Sequence, residues 1–258
     1  MLAYLLILGS PLAATGCNKD SAADKDILFD SIPIVTPVKP VIREASGIAD
    51  SRKNKGFLWV QEDSGNPAQL YLLGHDGTVA KTIPMVGITN RDWEELQLVD
   101  GQLYLGEIGD NLRRHAEYRF YIFDEPLAGT AEVKDFQVLR FQYEDGPRDA
   151  EAFLVDPATR DIYIFTKSDN AAKIYKISFP YNFSVVNSAK QVGQLTYSGA
   201  VAAALSPDGK EAIVKTYAGL QHYVRRDNES FLQMFQNPFK PLPYRTEVQG
   251  EAVTFAIS

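Results

Sequence analysis

Cysteine is almost absent from this chain of 258 residues, and histidine is scarce. Cys17 is the single cysteine, and only three histidines occur. One cysteine cannot form a disulfide within the chain, so stability has to come from packing. HExxH, GxSxG, phosphate-cradling glycine loops and CxxC are missing as well. The sequence therefore carries no signature of a zinc protease, a serine nucleophile, a nucleotide-phosphate site or a thiol redox site.

Long helical patterns and an excess of positive charge are also lacking. No segment keeps apolar residues at i, i+3, i+4 and i+7 over four turns, which argues against a helical fold. The formal net charge is -7, from 26 basic and 33 acidic residues. This balance argues against binding nucleic acid or an anionic membrane through bulk charge, and it is compatible with cationic ligands and divalent metals.

The first apolar run ends at the lone cysteine. The stretch LAYLLILGSPLAATGC is too short to span a bilayer as a stable helix and has the form of a secretion signal. Its end is similar to a bacterial lipobox, in which the cysteine becomes the lipidated first residue. We therefore predict a lipoprotein-type signal peptide over 1–17, lipid on Cys17 and a polar tether over 18–26. The alternative is a buried N-terminal strand with an incidental cysteine.

These features predict export and a lipid anchor in the bacterial envelope, at the outer membrane or cell surface. The anchor is then the only expected contact with a membrane. The rest of the chain, residues 27–258, is predicted to be one domain that acts as a monomer.

Beyond residue 27 the chain alternates between short strands and turns. FLWVQ, QLYLGEI, DIYIFTK and EAIVKTY are typical of the strands, and they carry the alternation or short apolar runs expected of half-buried or buried sheets. Asp-Gly and Asp-Pro pairs separate them. No helix-length segment intervenes, so parallel βαβ units are not expected.

Glutamates recur at the start of these strand groups with a regular spacing. Glu44 and Glu94 are 50 residues apart, Glu94 and Glu151 are 57 apart, and Glu151 and Glu251 are 100 apart, which is two periods. Ala202 and its neighbours occupy the intermediate repeat. A period near 50 residues with about four strands per repeat predicts an all-β propeller of about five blades. A β-sandwich is the alternative.

The fifth repeat is short, because only one strand follows Glu251 before Ser258. We expect the last blade to be incomplete, or to be closed by an N-terminal strand from residues 27–38. A chain that continues beyond Ser258 is the other reading.

Several of these segments resemble a known family. NRDWEEL, LYLGEIGDN, DAEAFLVDP, LSPDGKEAIVKTY and QGEAV together resemble a family of secreted bacterial propeller proteins, mostly uncharacterised lipoproteins. That family is distantly similar to phytase-like and regucalcin/gluconolactonase-like propellers. The resemblance implies a propeller fold and an exported protein, and it implies no specific activity.

Propeller symmetry predicts that the repeated acids meet at one mouth of the axial channel. Converging carboxylates repel, so they need a cation, a proton or a neighbouring basic side chain. Ca²⁺ suits a cage of carboxylate and carbonyl oxygens. The predicted metal ligands are Glu44, Glu94 (or Glu95), Glu151, Glu251 and Asp110, the last from the loop GEIGDN.

Alternatives stay open for each of these residues. Lys167 and Lys215, with Arg43, Arg91 and Arg148, could instead neutralise the acids in a structural network. Asp110 could simply form a turn. Trp93 could stack on a ligand or pack between blades. The residues predicted to contact a ligand are Glu94, Glu151, Glu251, Asp110, Lys167 and Trp93.

The predicted function is located at this mouth of the axial channel. The first hypothesis is a non-enzymatic module that binds a small-molecule or protein ligand there. The second is a Ca²⁺-dependent hydrolase of the phosphoesterase or lactonase type, in which a glutamate acts as the base. An open metal site would favour catalysis, and basic side chains filling the mouth would favour structure or binding.

Overall fold

The computed structural model describes residues 7–8 and 34–256. Strands dominate this part of the chain, as the sequence predicts, and its single helix α1 is one turn long (Phe231–Met234). No helix in the described part is both long and apolar enough to cross a membrane. The predicted lipidation site Cys17 and the predicted tether lie outside the described residues.

The strands form four antiparallel units of four strands each, followed by a short final strand. Unit one contains β2 (Ala45–Asp50), β3 (Phe57–Glu62), β4 (Gln69–Gly74) and β5 (Val79–Pro84). Unit two contains β6 (Trp93–Val99), β7 (Gln102–Glu107), β8 (Tyr118–Asp124) and β9 (Gln137–Tyr143). Unit three contains β10 (Ala150–Val155), β11 (Ile162–Thr166), β12 (Lys173–Ile177) and β13 (Asn187–Gln194). Unit four contains β14 (Ala202–Leu205), β15 (Glu211–Thr216), β16 (Gly219–Val224) and β17 (Lys240–Leu242). The remaining strands are β1 (Ile7–Leu8) and β18 (Thr254–Phe255).

The first strands of the units meet around one axis. β2 contacts β6, β6 contacts β10, β10 contacts β14, β14 contacts β18, and β18 contacts β2. The approach is close: a Cβ at Gly47 of β2 would lie 2.5 Å from the backbone nitrogen of Leu96 in β6. Meandering four-stranded units with their first strands around a common axis are the defining arrangement of a β-propeller.

Aromatic and aliphatic side chains fill the spaces between the units. The largest buried cluster lies between units two and three, where Phe120 stacks on Phe141 and meets the edge of Phe153. Separate clusters lie between units one and two and between units three and four. Burial of these faces is the main stabilising contribution and orients each first strand toward the axis.

Units two and three are also joined at their outer edges. Strands β9 and β13 pair in parallel, with Asn187 opposite Phe141 and Ala189 opposite Tyr143. The pairing merges the two units into one eight-stranded sheet. The repeat pattern does not predict this connection.

The end of the chain forms the shortest group. β18 pairs in parallel with β1, whose residues belong to the segment predicted as a signal peptide. Within the described part of the predicted closing segment 27–38, Val38 is buried against unit one, and the adjacent Lys39 bridges to Thr78 at the edge of that unit. In the described residues, the strand beside β18 is therefore β1 and not residues 34–38.

Candidate functional site

Three of the first strands contain the same irregularity at one mouth of the axis. The strand register shifts between Ala45 and Gly47 in β2, between Trp93 and Glu95 in β6, and between Ala150 and Ala152 in β10. The extra residues at these bulges are Ser46, Glu94 and Glu151. A bulge turns the extra side chain away from the regular alternation, and such sites are common near functional centres.

The repeated bulge changes the expected equivalence of the acids. Glu94 and Glu151 correspond to Ser46 in unit one, two residues after Glu44. Glu44 corresponds instead to Asp92 and Asp149, because the carbonyls of all three accept bonds from the ends of the second strands. The side chain of Glu44 is exposed and accepts a bond from Asn66 at 2.8 Å. It lies on the exposed rim of the mouth, where its charge helps to raise the pKa of Asp63.

Three carboxylates converge at the mouth between units one and two. Oxygens of Asp63, Asp92 and Glu94 all lie within 4.8 Å of one another. Glu94 is 2% exposed, whereas Asp63 and Asp92 are partly exposed. Gly109 makes room for them, since a Cβ there would lie 2.1 Å from Oε1 of Glu94. We call these three residues the acid triad.

Burial raises the pKa of every member of the triad, and the charges of neighbouring acids add to the shift. Burial is the larger cause for Glu94, followed by the charges of Glu151 and Asp63. Burial and then the charge of Asp63 raise the pKa of Asp92, while a bond from Ser64 and nearby His115 oppose the shift. The pKa of Asp63 rises mainly through burial. An empty triad therefore holds protons more tightly than isolated carboxyls do.

Glu151 and Glu251 lie beside the triad and are linked to each other through Lys167 and Tyr217. The Lys167 Nζ donates to Oε1 of Glu151, and it lies 5.5 Å from the centre of the Tyr217 ring. The Tyr217 hydroxyl donates to Oε1 of Glu251. Burial raises the pKa of Glu151 to about 8 although Lys167 opposes the shift. Oε2 of Glu151 is buried and has no hydrogen-bond partner in the described part of the chain.

Arg91, Arg148 and Lys215, three of the other predicted basic partners, are paired with acids outside the triad. Arg91 is paired with Glu107 at 3.5 Å, and Arg148 with Asp145 at 2.5 Å. Lys215 donates to Glu247 at 2.8 Å and to the carbonyl of Ala252 at 3.3 Å, which ties unit four to the final segment. Among the ion pairs of the described residues, none includes a carboxylate of the triad.

Asp110 has a different role from the one predicted for a ligand. Its carboxylate accepts bonds from the backbone nitrogens of Arg114 (2.9 Å) and His115 (2.8 Å) and from the Tyr118 hydroxyl (2.9 Å). Burial alone would raise the pKa of Asp110, but these bonds outweigh it and lower the pKa. Asp110 thus holds its own loop in shape, as the turn-forming alternative proposed.

Two further predicted residues, Trp93 and Glu95, are fully buried inside the propeller. Trp93 is fully buried between units one and two and packs against Tyr121 with ring centres 6.2 Å apart. Glu95, the alternative to Glu94, is fully buried and accepts a bond at 2.9 Å from the backbone nitrogen of Ala203 in unit four. Glu94 therefore faces the mouth, and Glu95 spans the axis.

The sequence reasoning missed Asp92 and Tyr217 and did not single out Asp63 as a ligand. A signal for Asp92 is present: Asp92-Trp93-Glu94 and Asp149-Ala150-Glu151 repeat an acid, one residue and a second acid. Tyr217 has no such signal, because its contact with Glu251 depends on where the final segment lies.

The geometry can be compared with known proteins. No protein-family model matches the chain, and no curated protein matches its sequence. Solved structures do match. An auxiliary nutrient-binding protein from Bacteroides thetaiotaomicron is 11% identical with a TM-score of 0.47, and the match covers 77% of this chain and 41% of that one. A putative 6-phosphogluconolactonase from Bacteroides uniformis is 13% identical with a TM-score of 0.41, covering 81% and 59%.

A third match is the β-propeller domain of Cps50 (Swd1) from Myceliophteria thermophila, at 12% identity and a TM-score of 0.39, covering 81% of this chain and 60% of that one. The chain spans between two fifths and three fifths of the length of these structures. At such low similarity, the assignment of a propeller rests on the strand order and axial contacts of the chain itself.

Proposed function

We propose that this chain is a five-bladed propeller that acts as a binding module and captures a positively charged ligand at its acidic mouth. The observation that supports this proposal is the acid triad, whose oxygens lie within 4.8 Å of one another. Among the described residues, none of the three carboxylates has an ion-pair partner. Folding brings these like charges together at a cost. A cation bound at the mouth offsets that cost.

The blade count belongs to the same proposal. Four units of four strands are followed by β18, which contacts the first strands β14 and β2 on either side. β18 then serves as the first strand of a fifth blade. Glu251 lies just before β18, and Glu151 lies at the bulge near the start of β10. The two acids therefore have similar positions in their blades, and this explains why both reach the same mouth.

A hydrolase is the second candidate, and one observation favours it. Glu151 has a pKa raised to about 8 by burial, so it can donate or accept a proton near neutral pH, and its Oε2 has no hydrogen-bond partner in the described residues. Such a group beside a bound metal suits metal-assisted hydrolysis of a phosphoester or lactone. Hydrolysis of p-nitrophenyl phosphate or a sugar lactone with added Ca²⁺, lost in Glu151→Gln, would support this candidate.

Envelope anchoring through Cys17 also remains a proposal, supported by the lipobox-like sequence before it. Mass spectrometry of membrane-extracted protein is expected to find an acylated peptide that begins at Cys17. A soluble native protein with Met1 intact would contradict the anchor.

Thermal melts test the binding proposal directly. Purified protein is heated with CaCl₂, MgCl₂, spermidine or NaCl of matched ionic strength. A ligand that binds only the folded chain raises the melting temperature, so at least one of the three multivalent cations should raise it above the NaCl control. Equal melting temperatures in all four salts would contradict the proposal.

A further inference from the structure

The acid triad has the composition and spacing of a site for a hard divalent cation. Asp63 follows a second strand, Asp92 precedes β6 and Glu94 lies at its bulge, so two units supply the oxygens. Ca²⁺ binds 6–8 oxygens at about 2.3–2.6 Å and tolerates irregular geometry. Two oxygens on opposite sides of one ion are then about 5 Å apart. Carboxylates within 4.8 Å of one another can therefore bind one ion with little movement.

A second observation points to the same place. Glu151 is 3% exposed, and its Oε2 has no hydrogen-bond partner among the described residues. It occupies the bulge of β10 that corresponds to the bulge of Glu94 in the adjacent β6, and these two strands are in contact. A buried carboxylate oxygen without a donor is unusual in a folded protein. Among the neighbouring charges, that of Glu151 acts most strongly on Glu94, so a cation bound beside Glu94 would also interact with Glu151.

We infer that the mouth binds a divalent cation of the Ca²⁺ type, held by Asp63, Asp92 and Glu94 with Glu151 as the fourth carboxylate. This inference rests on the proposed binding function and specifies its ligand. Water and backbone carbonyls complete the coordination, as they do at many Ca²⁺ sites.

The burial of Glu94 favours a bare ion over an organic amine. Its side chain is nearly inaccessible, and Gly109 lies directly against its Oε1. Asp63 and Asp92 are partly exposed and give a small ion a way in from solvent. An alkylammonium group needs room for its carbon chain beside the carboxylates and would contact these outer acids only.

Calorimetric titration of the full chain with CaCl₂ alone tests the inference. One equivalent of Ca²⁺ is expected to bind the wild-type chain. Asp92→Asn and Glu94→Gln should each weaken binding by about tenfold or more, because each removes a charged ligand. Asp124→Asn is the matched control, since it removes one exposed carboxylate at the far end of β8 and should leave the affinity unchanged. Circular dichroism of each variant verifies folding, and the two triad variants report independently.

Parallel titrations with spermidine separate the inference from the proposed function. Spermidine binding that is lost in Asp92→Asn, with no heat from Ca²⁺, would overturn the divalent-cation site and leave the cationic-ligand proposal standing. If neither Ca²⁺ nor spermidine binds, both the divalent-cation site and the cationic-ligand proposal are overturned. Ca²⁺ binding of equal strength in the wild type and both triad variants would show a site elsewhere and would also overturn the inference.

Discussion

Glu94 and Glu125 are equally buried, each 2% exposed, at opposite ends of the propeller, yet their surroundings differ. Glu125 accepts bonds from the Ser51 hydroxyl at 2.5 Å and from Trp59 Nε1 at 3.1 Å, and also from two backbone nitrogens. Glu94 receives one long bond of 3.3 Å from Ser46 and otherwise faces the carboxylates of the triad and Glu151.

On the proposed function, the difference separates a structural acid from an acid that binds a ligand. Glu125 joins unit one to unit two, and its donors provide the stabilisation that a buried charge needs. Glu94 lacks such donors, and its neighbours make its charge less favourable. The same residue type at the same burial is therefore stabilising at one end and destabilising at the other, and the proposed cation would offset the destabilisation.

The largest effect on stability is expected at Glu125, the buried acid that has hydrogen-bond donors. Glu125→Ala leaves the Trp59 Nε1 and the Ser51 hydroxyl buried without their acceptor, and should lower the free energy of unfolding by about 4 kcal/mol. Urea denaturation measures this change. Glu132→Ala removes an exposed glutamate of the same unit and should change stability by less than about 0.5 kcal/mol. Equal, small effects would remove the distinction between the two ends.

The next effect concerns Lys167, which is paired with Glu151 at the mouth. At pH 9, where Glu151 is ionised, Lys167→Met leaves this carboxylate buried without its partner and should lower the free energy of unfolding by about 3 kcal/mol in metal-free buffer. Ca²⁺ should restore part of this loss. The exposed Lys134→Met is the control, and a Lys167 variant as stable as wild type would show that Glu151 is protonated whether or not the lysine is present.

The pH dependence of the metal-free protein follows from the two kinds of acid. The folded-state pKa of Glu151 is about 8, above its ordinary value of 4.5, so the folded chain binds more protons between these values. Stability should therefore fall by about 3 kcal/mol as the pH rises from about 5 to 8. Bonds from Arg148 and Tyr175 outweigh burial and lower the pKa of Asp145 to about 2, so a second loss is expected as the pH falls below 4.

Thermal melts from pH 2 to pH 9 in chelated buffer measure this profile, with a maximum expected near pH 4 to 5. The loss between pH 5 and 8 should shrink in Glu151→Gln, which cannot titrate. A stability that rises steadily from pH 5 to 8 would contradict the raised pKa values at the mouth.

The smallest expected effect is an increase in stability, whereas the effects above are losses. Glu94→Gln removes a buried carboxyl from among other acids, and should raise the stability of the metal-free protein at pH 8 by about 1 kcal/mol. It should also reduce stabilisation by Ca²⁺, because Ca²⁺ binds this variant more weakly. A loss of stability in Glu94→Gln would mean that the bond with Ser46 outweighs the repulsion.

The sequence predicts the unit structure because strand alternation and a spacing near 50 residues are local or periodic signals. The same spacing also predicts that Glu94, Glu151 and Glu251 meet at one mouth of the axis. The alignment of Glu44 with Glu94 is shifted, because a bulge adds one residue to a strand without a mark in the sequence, and the equivalent position in β2 is Ser46. Asp110 illustrates a second limit, since its partners are backbone nitrogens of its own loop.

A crystal grown with Mn²⁺ in place of Ca²⁺ and measured at a wavelength with strong anomalous scattering from manganese tests the central claim most directly. We predict one strong anomalous peak at the axial mouth, within bonding distance of oxygens from Asp63, Asp92 and Glu94. The peak should be absent from crystals of Glu94→Gln. A mouth filled by the Lys167 side chain or by water in the presence of the ion, or a peak only at another place, would contradict the account.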